Sequence, residues 1–408
     1  MKAVSHSRRL TLAALVSLGA LIAFTAFKLF EPVFVYTAGW YDLPGRADMP
    51  LTSEAADPDD PRSEQAGKLL LAAYENGAMP SISVAIGSST GVIWRGVVGY
   101  AELETGTRAG FDHAYRIGST SKALTSIAVG QLVARGALTL DQELGPIAPD
   151  LPEHLHAITL GQIMSHRAGV RNYGLCLCFP VWEYYNRREF ESLSELASDR
   201  LAGPLLFEPG SHYAYTSLGY NLAGLFIEHA SGSGFSDAVS TLVLTPAGAS
   251  HSGLDGSPGL TIVQHYDVVD GRYKPVFDID NSIRGPSGGM VSTPTDLVHI
   301  GGMMLDDAQL ATGAREELLS IPESGRDNGG EIYAHGWRVY EWPHLYGRES
   351  LTYNHNGVGF GGRSIFAILP EHDLIISVVT NQSGESIDDL VPLTRELVDL
   401  FMASHEGG

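Results

Sequence analysis

Residues 115–140 read YRIGSTSKALTSIAVGQLVARGALTL, and the run Ser119-Thr120-Ser121-Lys122 near its front decides how the rest of the chain is understood. From Ser121 the apolar residues Leu124, Ile127, Ala128 and Leu132 recur at helical spacing, predicting a buried helix that ends at Gly136. A serine hydroxyl is a poor nucleophile until a base removes its proton. Lys122, three positions on, shares a helix face with Ser119. Burial disfavours an ammonium, which suits such a lysine to act as base or proton relay. The helix N-terminus also aims backbone N–H groups at a developing oxyanion. Chance copies of S-x-x-K are expected in 408 residues, so the meaning of this one rests on its company.

Working outward, residues Arg62 to Asn76 carry a helical pattern with Leu69, Leu70 and Ala73 on one side, stopped by Gly77. SISVAIGSS and VIWRGVVGYAEL flank a turn at Ser89-Thr90-Gly91 and read as a β-hairpin. A second apolar hairpin is expected in SIFAILP and LIISVVTN, joined by a Glu-His-Asp turn. Ile158 to Met164 and Tyr220 to Ala230 are helical by pattern. A final helix, Ile387 to Met402, sets Leu390, Leu393, Leu397, Leu400 and Phe401 on one face. Strands towards both ends around a helical centre predict an α/β fold in which an antiparallel sheet is flanked by helices and carries a mostly helical insertion. The sheet domain is expected from residues 62–125 and 266–405, the helical domain from 126–265, with the active site between them.

Two further segments accompany the serine motif: Tyr215-Thr216-Ser217 in FEPGSHYAYTSLGYNLAG, and His355-Asn356-Gly357 in TYNHNGVGFGGRSIFAILP. In this order, with ITLGQIMSHRAGVRNY and DNSIRGPSGGMVSTPTDLVHIGGMML between them, they resemble the serine β-lactamase and penicillin-binding-protein superfamily. The likeness runs over about residues 64 to 400. It is nearest to the class C and D-alanyl-D-alanine carboxypeptidase branch (the S12 peptidases), and especially to its mitochondrial animal members. The resemblance implies a β-lactamase/transpeptidase-like fold. It also implies Ser119 as the acylated nucleophile, Lys122 as its helix partner and Tyr215 as the residue shuttling a proton to the leaving group. His355 and Gly357 would line the cleft. The N–H groups of Val358 and Ser119 would form an oxyanion hole, each donor contributing ~3 kcal/mol to the transition state. Tyr213 is an alternative tyrosine, but the spacing after it favours Tyr215.

Two departures bear on substrate. Ser217 stands where many members have asparagine, and His355 where efficient β-lactamases have lysine. A permanent cation for a substrate carboxylate is then missing unless His355 is protonated or Arg363 substitutes. Both changes favour a peptidase or esterase over a potent β-lactamase. The leading expectation is therefore a serine hydrolase working through an acyl-enzyme on a small peptide or ester, in the manner of a D-Ala-D-Ala carboxypeptidase. A weak β-lactamase or small-ester esterase is the alternative. A non-catalytic scaffold that kept the fold is the reading from another class, because fold does not fix function.

The remainder excludes more than it adds. Net charge is −21, from 47 acidic and 26 basic residues, the wrong balance for a nucleic-acid partner. No H-E-x-x-H or carboxylate cluster accompanies the 15 histidines, so neither metal nor cofactor is expected. His166 reads as a hydrogen-bonded structural residue. GPSGG, residues 285–289, lacks a following G-K-[ST] and reads as a segment packed close beside the cleft. The two cysteines, Cys176 and Cys178, read as loop residues without chemistry of their own. Leu10 to Phe27 is uncharged and follows Lys2, Arg8 and Arg9. It reads as an uncleaved signal-anchor in the inner membrane, residues 10–30, with residues 1–9 cytoplasmic and the catalytic part on the periplasmic, extracytoplasmic side. Residues 31–61 read as a juxtamembrane tether.

Overall fold

The computed structural model describes residues 12–27, 37–46, 48–175, 183–185, 188–277, 279–281, 284–322, 332–341 and 350–402. Cys176 and Cys178 lie outside them.

Eight strands build the main sheet: β1 (Thr52–Ala55), β2 (Ser81–Ser88), β3 (Gly91–Glu102), β4 (Thr107–Arg108), β5 (Arg338–Glu341), β6 (Leu351–Gly359), β7 (Gly362–Leu369) and β8 (Leu374–Thr380). Their order is β5-β6-β7-β8-β2-β3-β1, antiparallel throughout, with β4 paired to β3. Both expected hairpins are present as β2–β3 and β7–β8.

The alternation of side chains sorts these strands between two cores. Ile365, Ala367 and Leu369 of β7, with Leu374, Ile376 and Val378 of β8, face one way. Phe366, Ile368, Ile375 and Val379 face the other. The first face is covered by α1 (Pro61–Asn76) and α5 (Val391–Met402), which set Leu70 and Tyr74 against Leu393, Leu397 and Phe401. Asp60 caps α1 by accepting from the Arg62 amide, Pro61 takes a first-turn position where no N–H is needed, and Gly77 follows its end. The second face carries α4 (Pro294–Met303) and continues into the helical part of the chain. Between the two lies α2 (Ser121–Ala134), buried without interruption from Ser121 to Leu132, and beside it α3 (Leu222–Ser231).

Two expectations about the N-terminus change. Among the described residues no helix is long and apolar enough to cross a membrane. The N-terminal helix is described over residues 12–27. At ~1.5 Å of rise per residue the described part spans about 24 Å, against a hydrocarbon layer of ~30 Å. The single-pass inner-membrane anchor, and the periplasmic placement built on it, are therefore not supported. Nor do residues 41–55 hang free as a tether. Tyr41–Asp42 pairs with Arg272–Pro275, which pairs in turn with Tyr266–Val269. β1 forms an edge of the main sheet, and the Arg46 guanidinium bonds the carbonyls of Tyr74 and Gly77.

Candidate active site

Ser119 lies in a single 3-10 turn, Gly118–Thr120, that leads directly into α2. The turn is pressed against β6. A Cβ on Gly357 would sit 1.8 Å from the carbonyl oxygen of Ile117, and one on Gly118, which has φ +50°, would meet the backbone of Val358 at 3.0 Å. Only glycine permits this approach. Thr120 fixes the turn to the sheet, sharing a 2.8 Å hydrogen bond with Ser364 and donating to the His355 carbonyl at 3.1 Å. The first N–H groups of a helix have no intrahelical partner. Ser119 and Val358 both border the cleft.

The Lys122 ammonium donates to Ser119 Oγ at 3.2 Å, to Ser217 Oγ at 3.0 Å and to the Ser287 carbonyl at 2.6 Å. Lys122 thereby ties the serine to the second motif and to the GPSGG segment. Its Nζ also lies 4.9 Å from the centre of the Tyr215 ring. Burial lowers the lysine pKa, against the pull of Tyr215. Tyr215 hydrogen-bonds both Lys122 and Ser119; burial pushes its pKa up, but the lysine charge and these two bonds outweigh burial and leave it below the ordinary tyrosine value. Tyr213 does not line the cleft, whereas Tyr215 does.

Ser217 is set by its neighbours. Thr216 caps the short helix Ser217–Tyr220 by accepting from the Gly219 amide at 2.9 Å, and Asn172 Oδ1 accepts from the amides of Ser217 and Leu218 at 3.1 and 3.3 Å. Asn172 belongs to the RNY end of ITLGQIMSHRAGVRNY and was not singled out in the sequence.

The third motif is turned differently from its sequence reading. Asn356 and Val358 line the cleft, while His355 points to the interior. Its Nδ1 donates to the Asn356 carbonyl at 2.8 Å, so its Nε2 accepts from the Tyr333 hydroxyl at 2.9 Å. Burial, with the nearby charges of Arg338 and Lys122, keeps its pKa well below the usual imidazole range. A neutral His355 cannot serve as a carboxylate anchor. Arg363 does not serve either: it is buried, and bonds Gln382, the Ser386 carbonyl and Asp389. An arginine that does line the cleft is Arg338 of β5, brought there by pairing opposite Asn354 on β6. No sequence motif marks it.

Ser119, Tyr215, Ser217, Arg338, Asn356 and Val358 border one cleft of about 930 Å³. Among the described residues no group of His, Cys, Asp and Glu could hold a metal ion.

Known proteins resemble this chain over most of its length. The chain is 25% identical over 329 residues to penicillin-binding protein 4 of Amycolatopsis lactamdurans, covering 76% of this chain and 81% of that protein. It is 24% identical to the mitochondrial serine beta-lactamase-like protein LACTB of Homo sapiens, covering 76% and 74% of the two chains. Among solved structures the hydrolase EstCE1 superposes with a TM-score of 0.70 at 17% identity, covering 83% of this chain and 98% of the other, a likeness of fold. The Beta-lactamase family profile matches residues 66–398, and the chain belongs to that family.

Proposed function

We propose that the protein is a serine hydrolase that cleaves peptides or esters through an acyl-enzyme at Ser119. The observation that carries this reading is the Lys122 ammonium, buried and shared between Ser119 Oγ at 3.2 Å and Ser217 Oγ at 3.0 Å, beside a tyrosine whose pKa it lowers.

In this reading Tyr215, as phenolate, takes the Ser119 hydroxyl proton while Oγ bonds to the substrate carbonyl carbon. The N–H groups of Ser119 and Val358 receive the oxyanion. As the tetrahedral adduct collapses, the bond to the leaving group breaks and Tyr215 returns its proton to the departing oxygen or nitrogen. Water, deprotonated by the same phenolate, then attacks the acyl carbon and frees a carboxylic acid and Ser119. Lys122 holds the charge of the phenolate throughout and needs no net change of its own. Asn356 and Ser217 are placed to hold the substrate amide or ester. Gly357 lets the strand approach, and His355 braces it from behind.

A peptidase of the D-Ala-D-Ala carboxypeptidase type is the finer form of this proposal, supported by the penicillin-binding relative. An esterase is favoured over a β-lactamase by one observation: His355 is neutral and buried, so the third motif supplies no cation to the cleft.

Intact-mass analysis after treatment with a fluorophosphonate and, separately, with a penicillin tests the core of the proposal, with Ser119→Ala as control. A single adduct that disappears in the variant is expected. Folded protein that takes up neither reagent contradicts the nucleophile. Turnover of a chromogenic cephalosporin against a p-nitrophenyl ester then separates lactamase from esterase.

A further inference from the structure

The cleft has a second end that the hydrolytic reading does not use. One of its walls is made by the N-terminal segment, which adds Tyr41–Asp42 as a third strand to the hairpin Tyr266–Val269 and Arg272–Pro275. Leu43 extends the pairing with a 2.9 Å bond to the Gly271 carbonyl, and the rings of Tyr41 and Tyr273 pack at 5.6 Å. This wall is tied to the opposite rim. The Tyr266 amide donates to the Asn381 carbonyl at 2.9 Å, and the Ser383 amide to the Tyr266 carbonyl at 2.8 Å. Arg363, buried behind the rim, fixes it through Gln382, Ser386 and Asp389.

Into the cleft this wall presents Trp40, Val268 and Val269, and the rim adds Ile387. Val269 is 51% exposed, which is uncommon for a valine set in a built wall. The ionisable side chains that line the cleft at this end are acidic, Asp267 and Glu385, while the Arg272 guanidinium lies 5.9 Å from the centre of the Trp40 ring and the Arg338 cation lies beside Tyr215. Asp267 is close enough to Lys274 to feel its charge, so the acidity at this end is partly offset. An aromatic face and two valines gain from removing apolar surface from water.

We infer that this end is a subsite for an apolar group of the substrate, with Trp40 as its principal contact. The subsite is continuous with the cleft at Ser119, so its occupant is part of the substrate. The inference rests on Ser119 being the acylated residue. The N-terminal segment is thereby a specificity element of the cleft.

The test is a panel of p-nitrophenyl esters with a constant leaving group (acetate, octanoate and hemiglutarate), plus acetate esters of a short and a long alcohol. In the unaltered protein kcat/KM is expected to rise from short to long in the acyl or the alcohol series, and to be lowest for hemiglutarate. Trp40→Ala should lower the long-to-short ratio in that same series by about tenfold, the size of losing one methylene-scale contact. A flat length dependence in both series, or a ratio unmoved by Trp40→Ala, overturns the subsite. Loss of the short ester's hydrolysis in Ser119→Ala is required for either result; its persistence would instead overturn the nucleophile.

Discussion

His166 holds the chain on both sides of Tyr215. Its carbonyl accepts the Ala214 amide at 2.9 Å, its Nδ1 accepts the Thr216 amide at 3.3 Å, and its ring lies 4.2 Å from the tyrosine ring. The residue is fully buried and has φ +59°, a left-handed conformation that histidine and asparagine adopt more readily than most other residues. This pattern gives the residue a positioning role, through the backbone that aims Tyr215 at Lys122.

His166→Ala is therefore expected to lower kcat by about 10- to 100-fold, the effect of roughly an ångström of misplacement. It should also move the rising limb of the pH–rate profile to higher pH, because a displaced Tyr215 loses the lysine charge that lowers its pKa. His166→Asn keeps an acceptor and suits the positive φ, so it should recover most of the rate and the original limb. A fall in rate with an unmoved profile in both variants would mean that His166 only supports the fold.

How far the sequence could be read follows from what each feature depends on. The two hairpins and the helix that follows the serine are local: apolar runs broken by a turn at residues 364–379 and helical spacing after Ser121 specify them without knowledge of neighbours. Arg338 reaches the cleft only because β5 pairs with β6, a contact no spacing encodes. The orientation of His355 has a similar origin. Its motif was legible, but the face of β6 that meets the cleft is decided by the register with β7, which turns Asn356 outward and His355 inward. The apolar run at residues 10–27 failed as evidence of an anchor because hydropathy alone does not establish the length of helix. Residues 41–42 and 52–55, within the stretch 31–61 read from its composition as a tether, dock through backbone pairing, to which composition is blind.

Gly357 offers a sharp test of the site's packing. A Cβ there would lie 1.8 Å from the Ile117 carbonyl oxygen and 2.5 Å from Ser364 Oγ. Gly357→Ala must push the Ser119 turn away from β6, at a cost of about 1–3 kcal/mol for an overpacked site. Thermal unfolding should fall accordingly, and fluorophosphonate labelling should slow more than the loss of folded protein explains. Normal labelling of a destabilised variant would show that the turn does not need this contact.

Buried imidazoles make stability depend on pH. Burial first, helped by nearby cations, holds His166, His265 and His355 well below the ordinary range, and burial brings His335 down to about 4. Below about pH 6.5 the unfolded chain binds protons that the folded chain refuses, so stability falls as the pH drops. Each such histidine adds a slope of up to about 1.4 kcal/mol per pH unit, and none contributes above that range. For His335 the loss stops near pH 4, where the folded site protonates too. Carboxyls raised by burial, Glu228 and Asp267, act in the opposite sense closer to their own range. The useful window is then pH 7.5 to 5.5 on the ~6.5 reference for histidine. Urea midpoints should decline across it; a flat midpoint would contradict neutral burial of this cluster.

The division of labour between Lys122 and Tyr215 is open to a direct kinetic test. Tyr215→Phe removes the oxygen that takes the serine proton and should lower acylation by about 10²- to 10⁴-fold, the usual worth of a general base. Lys122→Met keeps the length of the side chain but removes its charge, leaving the Ser287 carbonyl without that donor. If the phenolate is the base, residual activity in Lys122→Met must require a higher pH than the unaltered protein, because the lysine charge is what overcomes the burial of Tyr215. If Lys122 itself takes the proton, Lys122→Met should lose the pH-dependent limb altogether and Tyr215→Phe should keep it. Measuring pre-steady-state acylation of both variants from pH 6 to 10 on the ~10 reference for tyrosine separates the two assignments. A limb retained in Tyr215→Phe would transfer the role of base to the lysine.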